Sequence, residues 1–130
     1  MSGMSDFLEN ALLDHVLGGD AYTQPASVHL ALFSAAPNDA GGGTELSGNG
    51  YAREEVSFAA AHATNGTAAN DTAVEFAADG ADWDEVTHIG LFDAATDGNL
   101  LFHGAITTPR TVTDQGTLTF AIGDIVVTLD

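Results

Sequence analysis

The stretch from residue 83 to residue 104 constrains the fold more than any other part of the chain. Two runs of bulky apolar residues, 86–92 and 100–105, are separated by a polar loop that carries Asp97-Gly98-Asn99, and the only tryptophan, Trp83, precedes the first run. Apolar runs bounded by turn residues predict a β-hairpin. A hairpin this apolar needs cover on at least one face, so we expect the remaining segments to pack against it.

Further strand-like segments follow one another along the chain. They lie at 28–33, 51–58, 72–76, 111–113, 117–122 and 125–129. Turns rich in Gly, Asp and Asn separate them, and this spacing is typical of a β-sandwich or barrel. The sequence therefore predicts a mainly β fold, an antiparallel β-sandwich of about eight short strands with one N-terminal α-helix.

The helix is predicted at about residues 5–18. Ser5 or Asp6 supplies an N-cap, and Gly18-Gly19 supplies a C-terminal stop. The apolar positions recur at helical spacing: Leu8, Leu12 and Val16, with Leu13 and Leu17 widening the stripe. A helix of about three turns is not stable alone, so we expect this stripe to dock on a sheet or on a neighbouring subunit. We expect one domain over 1–130, with the sandwich at about 27–130.

Charge is the most unusual feature of the composition. Nineteen Asp and Glu residues face two arginines, Arg53 and Arg110, and the formal net charge is −17. Such a chain repels phosphate backbones and anionic lipid headgroups, so nucleic-acid binding and membrane binding are disfavoured. Arg53 is expected to pair with a neighbouring acid at the surface, where an ion pair contributes about 0–1 kcal/mol.

A saline cytoplasm explains this charge best. At molar salt the Debye length falls to about 3 Å, so repulsion between surface carboxylates is screened. The chain is rich in Asp and Ala and has no lysine, as is typical of halophilic archaeal proteins. It also has no cysteine, which excludes disulfides and thiolate sites. We find no apolar run of transmembrane length and no secretion signal, so a soluble protein made in the cytoplasm is expected.

Metal-binding patterns are weak. Of the five histidines, only His88 and His103 could face each other, across the central hairpin. The acids that cluster around the hairpin do not match a calcium-binding loop: Asp79, Asp82, Asp84, Glu85, Asp93 and Asp97. We therefore expect no metal, cofactor or catalytic residue.

Other motifs have ordinary interpretations. The loop at 34–50 contains Gly41-Gly42-Gly43 but no lysine or helix follows, so it is interpreted as a flexible surface loop and not as a phosphate cradle. Two glycosylation sequons, at Asn65 and Asn70, are attributed to chance because no export signal accompanies them. No cysteine nucleophile or Gly-x-Ser-x-Gly motif is present, and an enzyme is not expected.

Several segments together resemble small structural proteins of tailed, siphophage-like viruses and proviruses. They are the opening segment 5–19 with Tyr22-Thr23 and 28–33, then 50–53, 83–94, 98–104 and 128–130. Proteins of this family are commonly described as tail-fibre or minor tail proteins, and the resemblance spans essentially the whole chain. With the acidic composition, it implies a halophilic archaeal virus or provirus. This chain departs from the family in its acidity and in Glu54-Glu55.

The resemblance implies a virion structural protein, assembled in the host cytoplasm, that self-associates and contacts other virion proteins. A tail-fibre or tail-tip subunit and a capsid decoration or turret are all compatible with it, and contact with the host cell surface is a further expectation. The alternative is a standalone β-sandwich module that binds a glycan or calcium. The virion structural protein is predicted to be a homo-oligomer, whereas the standalone binding module is predicted to be a monomer that is stabilised by its ligand.

The composition generates a direct prediction about salt. The melting temperature of the purified chain should rise as KCl is increased from low to multimolar concentration, because screening removes repulsion among its carboxylates. Differential scanning calorimetry across a KCl series would measure this. A melting temperature that does not change with KCl would contradict the halophilic interpretation.

Overall fold

The computed structural model describes residues 3–58 and 66–129, and this part of the chain is mainly β. A helix, α1, spans Asp6–Leu13 and continues as a π-helical turn over Asp14–Gly18. Ten strands are present in the described residues: Gly3–Met4 (β1), Val28–Ala35 (β2), Thr44–Glu45 (β3), Glu54–Val56 (β4), Thr67–Ala69 (β5), Val74–Ala77 (β6), Val86–Phe92 (β7), Leu100–Arg110 (β8), Thr117–Phe120 (β9) and Val126–Thr128 (β10). All strand pairs are antiparallel, so the predicted fold class is confirmed.

The predicted hairpin lies inside the largest sheet. That sheet has six strands in the order β1-β8-β7-β2-β3, and β4 also pairs with β2. The hairpin strands are β7 and β8, and β2 flanks β7 on its other side. Two smaller two-stranded sheets, β6-β9 and β5-β10, complete the structure.

The inner face of the large sheet forms one side of the core. Leu30 and Leu32 on β2 lie opposite Leu91 and Ile89 on β7, and all four side chains are buried. The smaller sheets and their connections supply the other side of the same cluster: Val74, Phe76, Leu118, Phe120, Ile125 and Val127. The inward alternation of Leu118 and Phe120 with outward threonines is the period that the sequence predicts for this strand.

The outer face of the sheet is also covered. Ala31 is fully buried and Phe33 is 3% exposed, although only two of the three residues on this face of 28–33 are apolar, the third being His29. Phe33 and Phe92 are stacked with ring centroids 6.2 Å apart. Between them, a Cβ on Gly90 would lie 3.0 Å from Phe33 and 2.9 Å from Leu100, so a larger residue at this strand position would force these side chains to shift.

Trp83 lies in the core, where the sequence places it. Its side chain is 6% exposed, its ring packs edge-to-face on Tyr51 at 5.7 Å, and its indole N–H donates to the Asn49 carbonyl at 2.9 Å. Tyr51 in turn stacks on Phe76 at 6.3 Å and accepts a hydrogen bond from the Leu32 amide. Leu32 lies on β2 between the residues that pair with β3 and those that pair with β4. Its amide has no partner on either strand, and the Tyr51 hydroxyl accepts its hydrogen bond instead.

Asn70 joins the two ends of the β9–β10 connection to the start of β6. Its side chain, in a residue only 2% exposed, makes four hydrogen bonds to backbone groups. The Nδ2 group donates to the carbonyls of Thr72 and Ala121, and Oδ1 accepts from the amides of Gly123 and Ile125. Every hydrogen-bonding position of the amide is used internally, so this sequon lacks a free acceptor nitrogen for a glycan. The sequon at Asn65 lies outside the described residues.

Several strand boundaries differ from the predicted ones. The bend predicted at 107–110 is wrong, because β8 continues through Pro109 to Arg110, with a register shift against β7 between Ala105 and Arg110. The strand predicted at 111–113 does not form. Among the described residues, β8 beyond Ala105 pairs only through Arg110, which lies opposite Val86, so Pro109 displaces no ladder hydrogen bond of this register. In contrast, β1, β3 and β5 are two or three residues long and show no periodicity that a sequence could reveal.

Within the described ranges, α1 and the π-helical turn are both too short and too polar to cross a membrane.

Replacing Trp83 with Ala should destabilise the folded chain by about 3–5 kcal/mol, because it removes a buried ring and one of the two hydrogen bonds that the Asn49 carbonyl accepts. Equilibrium urea unfolding would measure the loss. Ile122→Ala provides the matched control: its side chain is 67% exposed, and a change within about 0.5 kcal/mol is expected. A Trp83→Ala protein as stable as this control would show that the core lies elsewhere.

Candidate functional site

The first half of α1 is firmly attached to the large sheet. Ser5 is the N-cap, and its side chain accepts from the Leu8 amide and donates to the Leu100 carbonyl on β8. The Ser5 amide donates to the Leu101 carbonyl at 2.9 Å, and the Leu8 side chain is 5% exposed. These contacts fix where the helix begins and which way it leaves the sheet.

The second half of the helix leaves the sheet with its apolar side chains uncovered. Leu13, Val16 and Leu17 are 57%, 71% and 78% exposed, and we call these three residues the helix-end surface. Residues three and four apart are neighbours on a helix, so the three side chains form one patch. Of the two predicted ways to cover the stripe, docking on this chain's own sheet therefore applies to Leu8 and in part to the half-buried Leu12, and docking on a neighbouring subunit stays a prediction for the rest.

The backbone explains why the stripe is not buried. After Leu13 the helix widens into the π-helical turn, and it ends at Gly19, whose φ of 113° requires glycine. This stop agrees with the predicted one. The apolar residues of this last turn, Val16 and Leu17, are among the most exposed large hydrophobic side chains of the described residues.

The connection after the helix holds the helix-end surface in place. The Tyr22 amide donates to Nδ1 of His15 at 3.0 Å, and the Tyr22 ring packs edge-to-face on Phe7 at 6.5 Å. Partial burial, with Asp93 nearby, raises the pKa of Tyr22. The surface is thus presented by a braced helix and not by a loose tail.

An exposed apolar patch is unusual on this chain. The other large hydrophobic side chains exposed in the described residues are isolated from one another in sequence: Phe7, Ile122 and Leu129. Single exposed apolar residues are ordinary, whereas clustered ones mark a surface that another molecule covers.

The histidines on the central hairpin do not form a metal site. The residue directly opposite His88 is Ala105, and the residue opposite His103 is Gly90, so the suggested face-to-face pairing is wrong. His103 Nε2 lies 2.7 Å from Asp39 Oδ1, and His88 Nδ1 lies 2.8 Å from the Thr87 hydroxyl. Within 3–58 and 66–129, no three side chains of the metal-ligating types converge.

Several acids around the hairpin accept hydrogen bonds within turns. Asp82 accepts from the Asp114 amide at 2.7 Å, and Asp114 accepts from the Gly80 amide at 2.8 Å. Asp93 accepts from both the amide and the side chain of Asn99. These carboxylates are spread over separate turns and are occupied by N–H donors, and such an arrangement does not resemble a calcium loop.

The glycine-rich loop is more ordered than a flexible surface loop. It contains β3, and Leu46 just after it is 7% exposed. A Cβ on Gly43 would lie 2.8 Å from the Ala35 carbonyl oxygen, in a backbone conformation with φ of 75°. Close packing of the backbone therefore explains this glycine better than ligand binding does.

Arg53 pairs with a neighbouring acid as predicted, and it is the centre of a half-buried polar cluster and not of a freely exposed ion pair. Its side chain is 9% exposed, it forms two hydrogen bonds of 2.9 Å with the Glu45 carboxylate, and its guanidinium lies 3.6 Å from the centre of the Phe92 ring. It also donates to the carbonyls of Ala94 and Asp97 in the β7–β8 loop. The bond to Glu45 raises the pKa of Arg53.

Tyr51 completes this cluster. Its hydroxyl donates to Glu45 Oε2 at 2.7 Å, and burial, together with this bond, raises its pKa well above the ordinary value. The phenol therefore stays protonated and acts as a fixed donor. The cluster ties β3 to the β7–β8 loop and is structural, since all its groups are satisfied internally.

Comparison with known families decides the class of the protein. The family described as Podophage GP4 fiber I protein gp80 matches residues 3–128. The chain belongs to this family. It is a phage tail-fibre-like protein, a structural component of a viral tail and hence of the virion. Among curated proteins, nothing matches it.

The family match confirms the tail-fibre part of the resemblance seen in the sequence. It also implies association of this tail-fibre protein with other virion proteins. The family's description names a podophage, and the narrower expectations of a siphophage-like or halophilic archaeal source stay predictions.

Proposed function

We propose that this chain is a self-associating subunit of a viral tail fibre, and that the helix-end surface is buried between copies. The observation that carries the proposal is the exposure of Leu13, Val16 and Leu17 on a braced helix. The proposed role is structural and includes no catalytic step, as the tail-fibre family supports.

Charge decides where copies of this chain can meet. Each copy has a formal charge of −17, so an interface lined with carboxylates would be strongly repulsive. The helix-end surface offers a contact made of aliphatic side chains. Screening at high salt lowers the remaining long-range repulsion, so self-association should strengthen as KCl is raised.

The size of the surface limits how it is used. Burying one Leu or Val side chain fully contributes about 1.5–3 kcal/mol, so three from each of two copies contribute about 9–18 kcal/mol at most. Association itself costs about 4–15 kcal/mol in lost freedom, and the partial initial burial of Leu13 reduces the gain. The surface therefore supports an assembly that is reinforced by further contacts, as in a fibre, better than an isolated tight dimer.

We place the subunit in the tail and not on the capsid. The family match supports the tail, whereas a capsid decoration or turret protein has no observation in its favour. Contact with other tail proteins follows from such a position, and contact with the host surface is part of the same proposal. A single domain over 1–130 is the proposed building block.

Self-association can be tested by light scattering coupled to size-exclusion chromatography in molar KCl. The wild-type chain should be an oligomer, and Leu13→Gln combined with Leu17→Gln should lower the mass towards that of a monomer, because it removes most of the apolar contact. Near-ultraviolet circular dichroism would show that the protomer fold is kept.

Ile122→Gln is the matched control, since it changes an equally exposed apolar side chain in the β9–β10 connection. It should leave the oligomer intact. A wild-type chain that stays monomeric at all concentrations, and that a glycan or calcium stabilises against heating, would favour the standalone binding module instead.

The position in the particle can be tested by gold-labelled antibody against this chain on intact virions. Label is expected at the tail. Label distributed over the capsid would contradict the tail assignment and would favour a decoration or turret protein.

A further inference from the structure

We infer that a groove beside the far end of β8 binds a saccharide that carries a carboxylate. The groove is a recess of about 440 Å³ between the end of β8, strand β9 and the β9–β10 connection. This volume lies within the range of about 300–1,000 Å³ that is typical of small-molecule sites. Its walls include Thr107, Thr108 and Arg110 from β8, with Thr119 and Asp124 opposite.

Arg110 is the cation that is available to such a ligand. The chain contains two Arg or Lys residues, and Arg53 is occupied by Glu45 and two carbonyls. Among the described residues, Arg110 has no carboxylate within 4.0 Å and no side-chain hydrogen bond. A guanidinium that lines a recess and pairs with none of the described carboxylates, in a chain with nineteen acids, is placed to bind an anion from outside.

The other groups of the groove suit the remainder of a sugar. The side chains of Thr107 and Thr108 make no recorded hydrogen bond with the described residues, so their hydroxyls are available to a ligand. Asp124 uses Oδ2 to accept from the Ala121 amide at 3.0 Å, which leaves Oδ1 to accept from a ligand hydroxyl. The buried side chains of Leu118 and Phe120 supply an apolar floor for the C–H face of a ring.

The combination favours an acidic sugar over a simple anion. A planar guanidinium binds a carboxylate through two parallel hydrogen bonds, and this fixes the orientation of the ring to which the carboxylate is attached. An inorganic anion would use Arg110 alone and would leave the threonines, Asp124 and the apolar floor without a role. A neutral sugar would use the walls but would leave the guanidinium unpaired.

Strong repulsion limits the affinity of a single groove. An acidic sugar has to approach a chain with a formal charge of −17, so we expect weak binding to one copy and tighter binding when several copies are linked. A role of the groove in host contact rests on the proposed tail-fibre function. Binding itself does not, because it can be measured on the purified chain whether or not that chain forms a fibre.

The test is a titration of the isotope-labelled chain, followed by nuclear magnetic resonance, with glucuronic acid as the probe. Glucose serves as the neutral ring and acetate as the carboxylate without a ring. The KCl concentration should be the lowest that keeps the fold, because chloride competes for Arg110. Glucuronic acid should shift the amide signals of residues 105–110 and 117–120 at lower concentration than either comparison compound.

Variants then assign the contact. Arg110→Gln should weaken glucuronic acid binding at least about tenfold, since it removes the charge-assisted pair, and Arg110→Lys should restore only part of the affinity. Thr108→Val should weaken binding, whereas Thr44→Val, an exposed threonine on β3, should not.

Each outcome decides the inference. Equal shifts with acetate and glucuronic acid would overturn the inference in favour of a simple anion site. Equal shifts with glucose and glucuronic acid would also overturn it, because they would show that Arg110 does not bind the carboxylate. Absence of any shift in the wild-type chain would also overturn it and needs no variant. None of these results affects the oligomeric state, so a failed groove and a failed fibre assignment are distinguishable.

Discussion

Strands β2 and β7 carry apolar side chains on both faces of the large sheet. The rest of the molecule therefore has to cover both faces of these two strands. On the inner face, pairs such as Leu30 with Leu91 bring two strands into one apolar surface that the smaller sheets cover. On the outer face, Phe33 and Phe92 close over Gly90, and the start of α1 packs beside them on β8. A slip of one residue between β2 and β7 would exchange the two faces, so this pairing fixes the register of the sheet.

Such a sheet is built in a chain that has almost no cations. Arg53 stabilises the outer face by lying over Phe92 while holding Glu45 and the β7–β8 loop. Many of the acids accept hydrogen bonds from backbone amides at turns, as Asp82 and Asp93 do. These carboxylates therefore help to fix the turns in addition to keeping the surface charged. The two arginines have different settings: the Arg53 guanidinium is bound by Glu45 and two carbonyls, whereas the exposed Arg110 guanidinium makes no ion pair or hydrogen bond with the described residues.

The periodicity of the sequence was sufficient to predict the hairpin, the N-terminal helix and the mainly antiparallel β class, because these depend on runs of four or more residues. It could not predict β1, β3 or β5, which exist because a partner strand lies beside them and not because of their own composition. Pro109 suggested a bend, yet the register of β8 leaves its missing donor harmless. For the same reason the groove could not be predicted, since it depends on Thr107 and Arg110 lying on a strand.

The helix shows a different limit of sequence reasoning. A stripe of apolar residues predicts that something covers the helix, but it does not say whether the cover comes from the same chain. Leu13 and Leu17 stay exposed on this chain, and no local sequence pattern indicates the π-helical turn at Asp14–Gly18. An apolar stripe that the chain itself buries and one that it leaves exposed therefore look alike until the backbone is known.

The four hydrogen bonds of Asn70 have a consequence for the chemical ageing of the protein. Deamidation would replace Nδ2, which donates to the carbonyls of Thr72 and Ala121, with an oxygen that faces the same two carbonyls. A carboxylate is isosteric with the amide but has no proton to donate, so the new group would be both repelled and buried. Most aspartates of this protein lie at its surface, where they are solvated. At the buried position 70, in contrast, one added negative charge would break the hydrogen bonds that connect β6 with β9 and β10. Burial and these hydrogen bonds shield the Asn70 amide from deamidation, and local unfolding around Asn70 would remove that protection.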